Sequence, residues 1–258
     1  MSQALVHTEI LSPGVILVTL NRPDKRNALS INLMRSLCDR YDALERDDSV
    51  RVAILRGEGP VFCSGLDLAE AQNLELAEQS GELVARMLLT VHRSRVVTIA
   101  TVHGAAVAGG AGLMTACDFV IAAEETRIGY PEVRRGLVAS LVSSLLRRQI
   151  AERFVRELLV LGELVDAQQA LEMGLIDRAV PKDEVLPVAR EFAAHILKGA
   201  PDAIAHSRRL VDDLWPRPLE EDLSRALAHH KEIRRSQEAL EGMRAFLEKR
   251  LPKWDPGA

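Results

Sequence analysis

The sequence predicts an α/β fold with a mostly parallel sheet, followed by a C-terminal region that is nearly all helical. Three observations support this. Strand-like and helix-like segments alternate through the first half of the chain, the pattern of crossover connections between parallel strands. Residues 96–102 (VVTIATV) are apolar apart from Thr98 and Thr101, as expected of a strand buried on both faces. From about Ser140 onward the apolar spacing is helical almost without interruption.

Residues 4–11 and 14–20 read as two short strands around the turn Ser12-Pro13-Gly14. Residues 21–28 (NRPDKRNA) form a polar loop. Ser30 is suited to cap a helix whose apolar positions are Met34, Leu37, Cys38, Tyr41 and Leu44. Residues 50–55 read as a strand ending at Arg56-Gly57. A small-residue segment, 57–67 (GEGPVFCSGLD), then precedes a long helix over about 73–95. The strand 96–102 runs into a second small-residue segment, 104–112, and a short apolar helix. Further strands are expected at 119–122 and 176–180. Helices are expected at 140–149, 151–161, 166–173, 182–198, 201–214, 218–234 and 236–249, punctuated by Pro201, Pro216 and Pro218.

The chain has 258 residues, 47% of them apolar and 27% charged, enough for one large core. Aromatic residues make up only 3%, so that core is aliphatic. With 33 basic against 37 acidic residues, the net charge of −4 does not describe a nucleic-acid surface. Cys38, Cys63 and Cys117 form no CxxC and no Cys/His metal spacing, and an odd, low count suits a reducing cytoplasm. The first ten residues lack a signal-peptide pattern, and no apolar run reaches the roughly 18 residues of a membrane span. The expectation is a soluble cytoplasmic protein with no metal site.

Each small-residue segment follows a strand and precedes a helix, an arrangement that exposes backbone N–H groups able to bind negative charge. Phosphate is disfavoured. In the Walker A pattern a lysine follows the second glycine, whereas here Gly109 is followed by Gly110. The dinucleotide pattern GxGxxG fails as well, because Gly110 and Gly112 are followed by Thr115. Either segment alone reads equally well as close helix–strand packing, and Asp67 as a helix cap. Two such turns in one chain, each offering one N–H to the same oxygen, would instead make an oxyanion hole suited to a thioester enolate.

The motifs FCSGLDL and HGAAVAGGAGLMTACD, with NRPDKRNAL before them and GYPEVRRGL and LLVLGELVDAQQALEMGLIDRAVP after them, resemble the crotonase (enoyl-CoA hydratase/isomerase) superfamily. The resemblance covers about residues 5–250. It implies a spiral of ββα repeats over 1–200. A C-terminal helical region over 201–258 would take part in trimerisation and close the CoA site. It also implies an acyl-CoA thioester substrate, with CoA part of the substrate and no further cofactor, and assembly as a homotrimer or a dimer of trimers.

Carried over residue by residue, the resemblance makes the backbone N–H groups of Leu66 and Gly109 the oxyanion donors. Ser64, Gly65, Asp67 and Leu68 fall on the segment lining CoA. Lys25, Arg26 and Ala28 fall on a loop that also approaches it, and Phe246 and Lys249 on C-terminal positions that touch the nucleotide end. For Lys25, Arg26 and Lys249, ordinary solvated charge is the competing reading.

The acid/base positions depart from the two-glutamate pattern of a hydratase. Gly112 stands where the first glutamate would be, and Glu132, after Pro131, matches the second. One glutamate beside a thioester can take a proton from one carbon and return it to another, which is double-bond migration. Hydration and isomerisation share the enolate and both stay open. An acyl-CoA-binding protein or scaffold with little or no catalysis is the alternative from another class. Ala139-Ser140-Leu141 follows Gly136-Leu137-Val138 where the family often has proline and glycine, which alters the expected acyl pocket.

Overall fold

The computed structural model of the chain describes residues 4–71 and 74–255. A six-stranded sheet has the order β1 (Val6–Ser12), β2 (Val15–Leu20), β3 (Val52–Gly57), β4 (Val97–Val102), β6 (Phe119–Ala123), β9 (Arg178–Val180). Only β1 and β2 are antiparallel; every other neighbouring pair is parallel. The sequence reading of a mostly parallel core holds, and β4 is buried at all six positions. A second sheet of three short strands has the order β5 (Ala105–Val107), β7 (Arg127–Gly129), β8 (Leu164–Asp166).

Between the strands run α1 (Ile31–Leu44), α2 (Leu68–Ala71), α3 (Leu74–Arg93), α4 (Gly109–Thr115), α5 (Ser140–Gln149), α6 (Glu152–Arg156) and α7 (Ala167–Glu172). After β9 come α8 (Val185–Leu197), α9 (Pro201–Asp213), α10 (Leu219–Arg234) and α11 (Gln237–Leu247). The Ser30 hydroxyl caps α1 by accepting the Leu33 N–H at 3.2 Å. Leu33, Met34, Leu37, Cys38, Tyr41 and Leu44 then form its buried stripe. Asp166 and Gln169 make a capping box at α7.

Central strands alternate between two apolar layers. Ala53 and Leu55 of β3 face the large core shared with α1 and α3–α5, whereas Val52 and Ile54 face Val185, Ala189 and Ala193 of α8. This explains why β3 and β4 read as continuous apolar runs. Leu37 is fully buried. Leu37→Ala is expected to cost about 2–5 kcal/mol in urea unfolding.

Four expectations need correction. The second sheet was not anticipated, because three-residue strands are too short to show a period of two. The single helix expected at 151–161 is α6 followed by a π turn over Glu157–Leu161. The helix expected at 182–198 begins as a 3-10 turn, Lys182–Glu184. A short helix that was not anticipated, α2, precedes the long helix expected over about 73–95, which is α3; residue 73 lies outside the described residues. Among the described residues, no helix is long and apolar enough to cross a membrane.

Candidate active site

β3 and β4 pair in parallel, so both end at the same edge of the sheet and their following turns meet there. The turns are stitched together by Phe62 N–H to His103 O (3.0 Å), Cys63 N–H to Ala105 O (3.2 Å) and Val107 N–H to Cys63 O (3.1 Å). On its other side the 62–67 segment bonds the polar loop, through Ser64 N–H to Arg26 O (3.1 Å), Leu29 N–H to Gly65 O (2.7 Å) and Asp67 N–H to Leu29 O (3.1 Å). Among the described residues, no protein group accepts the N–H of Leu66 or of Gly109.

The close approach of the two turns requires glycine. Gly65 has φ +94°, and a Cβ there would lie 2.8 Å from Val107 O. A Cβ on Gly109 would lie 3.9 Å from Leu66 N, so the two unbonded N–H groups are neighbours. Gly109 is preceded by Ala108, with φ +52° and ψ −124°, a conformation that costs a non-glycine residue about 1–3 kcal/mol. Its N–H is held by Gly129 O at 2.8 Å, and its carbonyl accepts the Gly112 N–H at 2.9 Å.

The second sheet links this corner to Glu132. Val107 pairs with Gly129, the last residue of β7. The chain then passes Tyr130 into a 3-10 turn, Pro131–Arg135. Tyr130 is fully buried, and its hydroxyl shares a 2.7 Å hydrogen bond with Thr115 at the end of α4. Gly136, at φ +65°, closes the turn where a side chain would strike Glu238 O. Gly242 lets α11 pack on Arg135 O, which a Cβ would meet at 2.3 Å.

Glu132 Oε2 is buried and has no hydrogen-bond partner among the described residues. Burial pushes the Glu132 carboxyl up to about 7, against its own backbone N–H and the Arg135 guanidinium, which pull the other way. A carboxyl with one buried oxygen unpartnered and its pKa pushed toward neutrality is suited to moving protons.

A cavity of about 470 Å³ brings together Leu66, Gly109 and Glu132 with Arg26, Ala28, Ser64, Asp67 and Phe246. Gly65 is buried behind that wall, and Lys25 and Lys249 are exposed away from it. The side chain of Leu68 lies outside the described residues. Asp67 also has a structural role. Burial would raise its carboxyl, but the Arg22 guanidinium at 2.6 Å and the Ala69 N–H hold it below the usual range. His103 bonds Gly59 O at 2.8 Å and takes no part in the cavity.

Several lining residues were not legible in advance: Arg135, Val142, His230, Arg234 and Met243. Only Arg135 had a signal, its position beside the Pro-Glu motif. Among the described residues, no group of His, Cys, Asp and Glu is placed to hold a metal ion.

Residues 11–257 match the family model described as Enoyl-CoA hydratase/isomerase. A putative enoyl-CoA hydratase of Thermus thermophilus is 39% identical over 93% of this chain and 97% of its own length. The mevalonyl-coenzyme A hydratase sidH of Aspergillus fumigatus is 33% identical over 95% of this chain and 93% of its own. A crystal structure of a putative enoyl-CoA hydratase from Mycobacterium avium paratuberculosis superposes with a TM-score of 0.88 at 31% identity, over 98% of this chain and 100% of that one. With its fold, its paired turns and its Pro-Glu turn all in that family's order, this chain belongs to the enoyl-CoA hydratase/isomerase (crotonase) family and is an acyl-CoA enzyme of that type.

Proposed function

We propose that the chain binds an enoyl-CoA with its thioester oxygen between the N–H groups of Leu66 and Gly109, and that Glu132 moves one proton along the acyl chain. The observation behind this reading is that two unclaimed N–H groups and one unpartnered carboxylate oxygen line the same cavity. In a 3-enoyl-CoA, ionised Glu132 takes a proton from C2, and the electron pair moves into the thioester as a dienolate whose oxygen the two donors stabilise. The same carboxyl returns the proton to C4, leaving the 2-enoyl-CoA and the ionised glutamate. The scheme uses no resident metal or redox group.

Double-bond migration is favoured over hydration by the surroundings of Gly112. A Cβ at Gly112 would lie 2.2 Å from Val142 Cγ1 of α5. The place of a second carboxylate is therefore filled by a packed methyl group. Gly112→Glu alone is expected to lose about 1–3 kcal/mol to overpacking. Combined with Val142→Ala it should regain stability and acquire hydration of 2-enoyl-CoA, followed by thermal unfolding and product mass.

In this reading the CoA portion lies against Arg26, Ala28, Ser64, Asp67 and Leu68, with Phe246 toward its nucleotide; Gly65 backs that wall, and Lys25 and Lys249 lie outside the cavity. The chain works in the cytoplasm as a homotrimer or a dimer of trimers. Incubation with 2-enoyl-CoA and 3-enoyl-CoA separately, with products identified by mass and chromatography, tests the function. Conversion of 3-enoyl-CoA to its isomer supports it. Addition of water makes the protein a hydratase instead, and binding without turnover of either makes it a scaffold.

A further inference from the structure

Glu132 and Arg135 both belong to the 3-10 turn Pro131–Arg135. In such a turn, side chains three residues apart eclipse one another. The carboxyl and the guanidinium therefore share a face, and both residues line the cavity. Helix α11 holds the guanidinium in place. The Arg135 Cζ lies 4.3 Å from the centre of the Phe246 ring, a cation–π contact. Two glycines let the helix come that close. A Cβ on Gly242 would meet Arg135 O at 2.3 Å, and one on Gly136 would meet Glu238 O at 2.4 Å.

Other charges on the elements packed against the turn are directed elsewhere. Arg134 pairs with Glu163 at 3.3 Å, outside the cavity. On α11, Glu241 pairs with Arg250, while Glu238 and Arg244 are exposed; on the π turn, Glu157 is exposed. None of these lines the cavity. In the cavity wall, Asp67 pairs with Arg22, and Arg26 and Arg234 enter from the polar loop and from α10. His230 is neutral, pushed down to about 4 by burial first and then by the charges of Arg234 and Lys231. Burial also keeps the neighbouring Tyr130 hydroxyl neutral. Against the burial that raises the Glu132 carboxyl stand its own N–H and then the Arg135 charge.

We propose, on the basis of the enoyl-CoA reading above, that Arg135 is a positioning residue for the reaction: anchored on Phe246, its charge keeps Glu132 ionised at neutral pH, so that the seating of α11 and the readiness of Glu132 to take a proton are linked. A buried carboxyl with no cation near it would be protonated and unable to accept the C2 proton. A tight ion pair would instead occupy the oxygen that has to receive that proton. Here Oε2 has no hydrogen-bond partner among the described residues, so the guanidinium supplies charge without tying up that oxygen.

The test uses the full-length protein labelled with 13C-glutamate. The Glu132 carboxyl is titrated by NMR, its signal assigned by its loss in Glu132→Gln, and kcat/KM for 3-enoyl-CoA is followed between about pH 5 and 9.5. Because Arg135 is also exposed, water screens its charge, and Arg135→Gln is expected to raise the midpoint by about one pH unit. From a midpoint of about 7, that lowers the ionised fraction at pH 7 by about fivefold. The value of kcat/KM should fall with it and recover as the pH rises past about 9, whereas mere disturbance of the turn would lower it at every pH. Arg135→Lys, which keeps the charge, should restore most of the shift. Arg134→Gln removes the same charge outside the cavity and should leave the midpoint in place. Arg135→Met is read instead if the glutamine variant does not fold. A midpoint that stays put in Arg135→Gln, or that moves equally in Arg135→Lys or Arg134→Gln, overturns the proposal. The NMR titration needs no substrate. A raised midpoint in a protein that turns over neither 2-enoyl-CoA nor 3-enoyl-CoA would overturn the proposed reaction and leave the control of Glu132 by Arg135 standing.

Discussion

Glu132→Gln is expected to reduce kcat with the true substrate by about 10²-fold or more and to make the folded protein more stable above pH 7. The two effects have one cause. Oε2 is buried without a partner, and the carboxyl sits at about 7 rather than near its ordinary 4.5. The folded state therefore holds the proton more tightly than the unfolded chain does. That group's contribution is favourable below pH 4.5 and is lost progressively as pH rises from there through 7. Ionisation costs the fold about 3 kcal/mol at high pH, at roughly 1.4 kcal/mol per pH unit. Glutamine has no such cost and cannot accept the proton. The same ionisation should make kcat/KM of the unmodified enzyme rise with pH through about 7. Kinetics paired with urea unfolding at pH 5 and pH 8 check all three outcomes. Near-normal turnover of the glutamine variant would remove Glu132 from the chemistry.

Gly110→Ala is expected to lower kcat/KM by about 10²-fold, although Gly110 touches no substrate in this scheme. A Cβ there would lie 2.4 Å from Cys63 O and 2.8 Å from Cys63 C, backbone atoms that cannot rotate away. The helix carrying Gly109 would have to move off the segment carrying Leu66. A displacement of about 1 Å is enough to spoil two converging donors at that scale. Overpacking should also cost about 1–3 kcal/mol in stability. The discriminating measurement is activity at a temperature where the variant remains folded. Full activity there would mean that the spacing of the two turns does not set the rate.

The reach of the sequence reading differed from element to element, for identifiable reasons. Strands β3 and β4 were legible because both faces are buried, and α1 because a capping serine precedes a periodic stripe. The paired turns were legible through their glycines, which mark places where backbones approach closely. What remained hidden depends on contacts between distant residues. The sheet of β5, β7 and β8 holds Ala108 and delivers Glu132, yet each strand has only three residues. Val142 filling the space at Gly112, and α10 bringing His230 and Arg234 to the cavity, leave no local pattern.

The sequence by itself determined the α/β alternation, the family, the two small-residue turns between strand and helix, and the Pro131-Glu132 pair. These rest on local features: residue size, periodicity and motif order. Only the tertiary structure decided that those groups share one cavity, and that Glu132 titrates near neutrality. It also decided that the Val142 side chain packs where a side chain at Gly112 would have to go. Burial, desolvation and steric exclusion arise between segments far apart in the chain, so no single stretch of sequence encodes them.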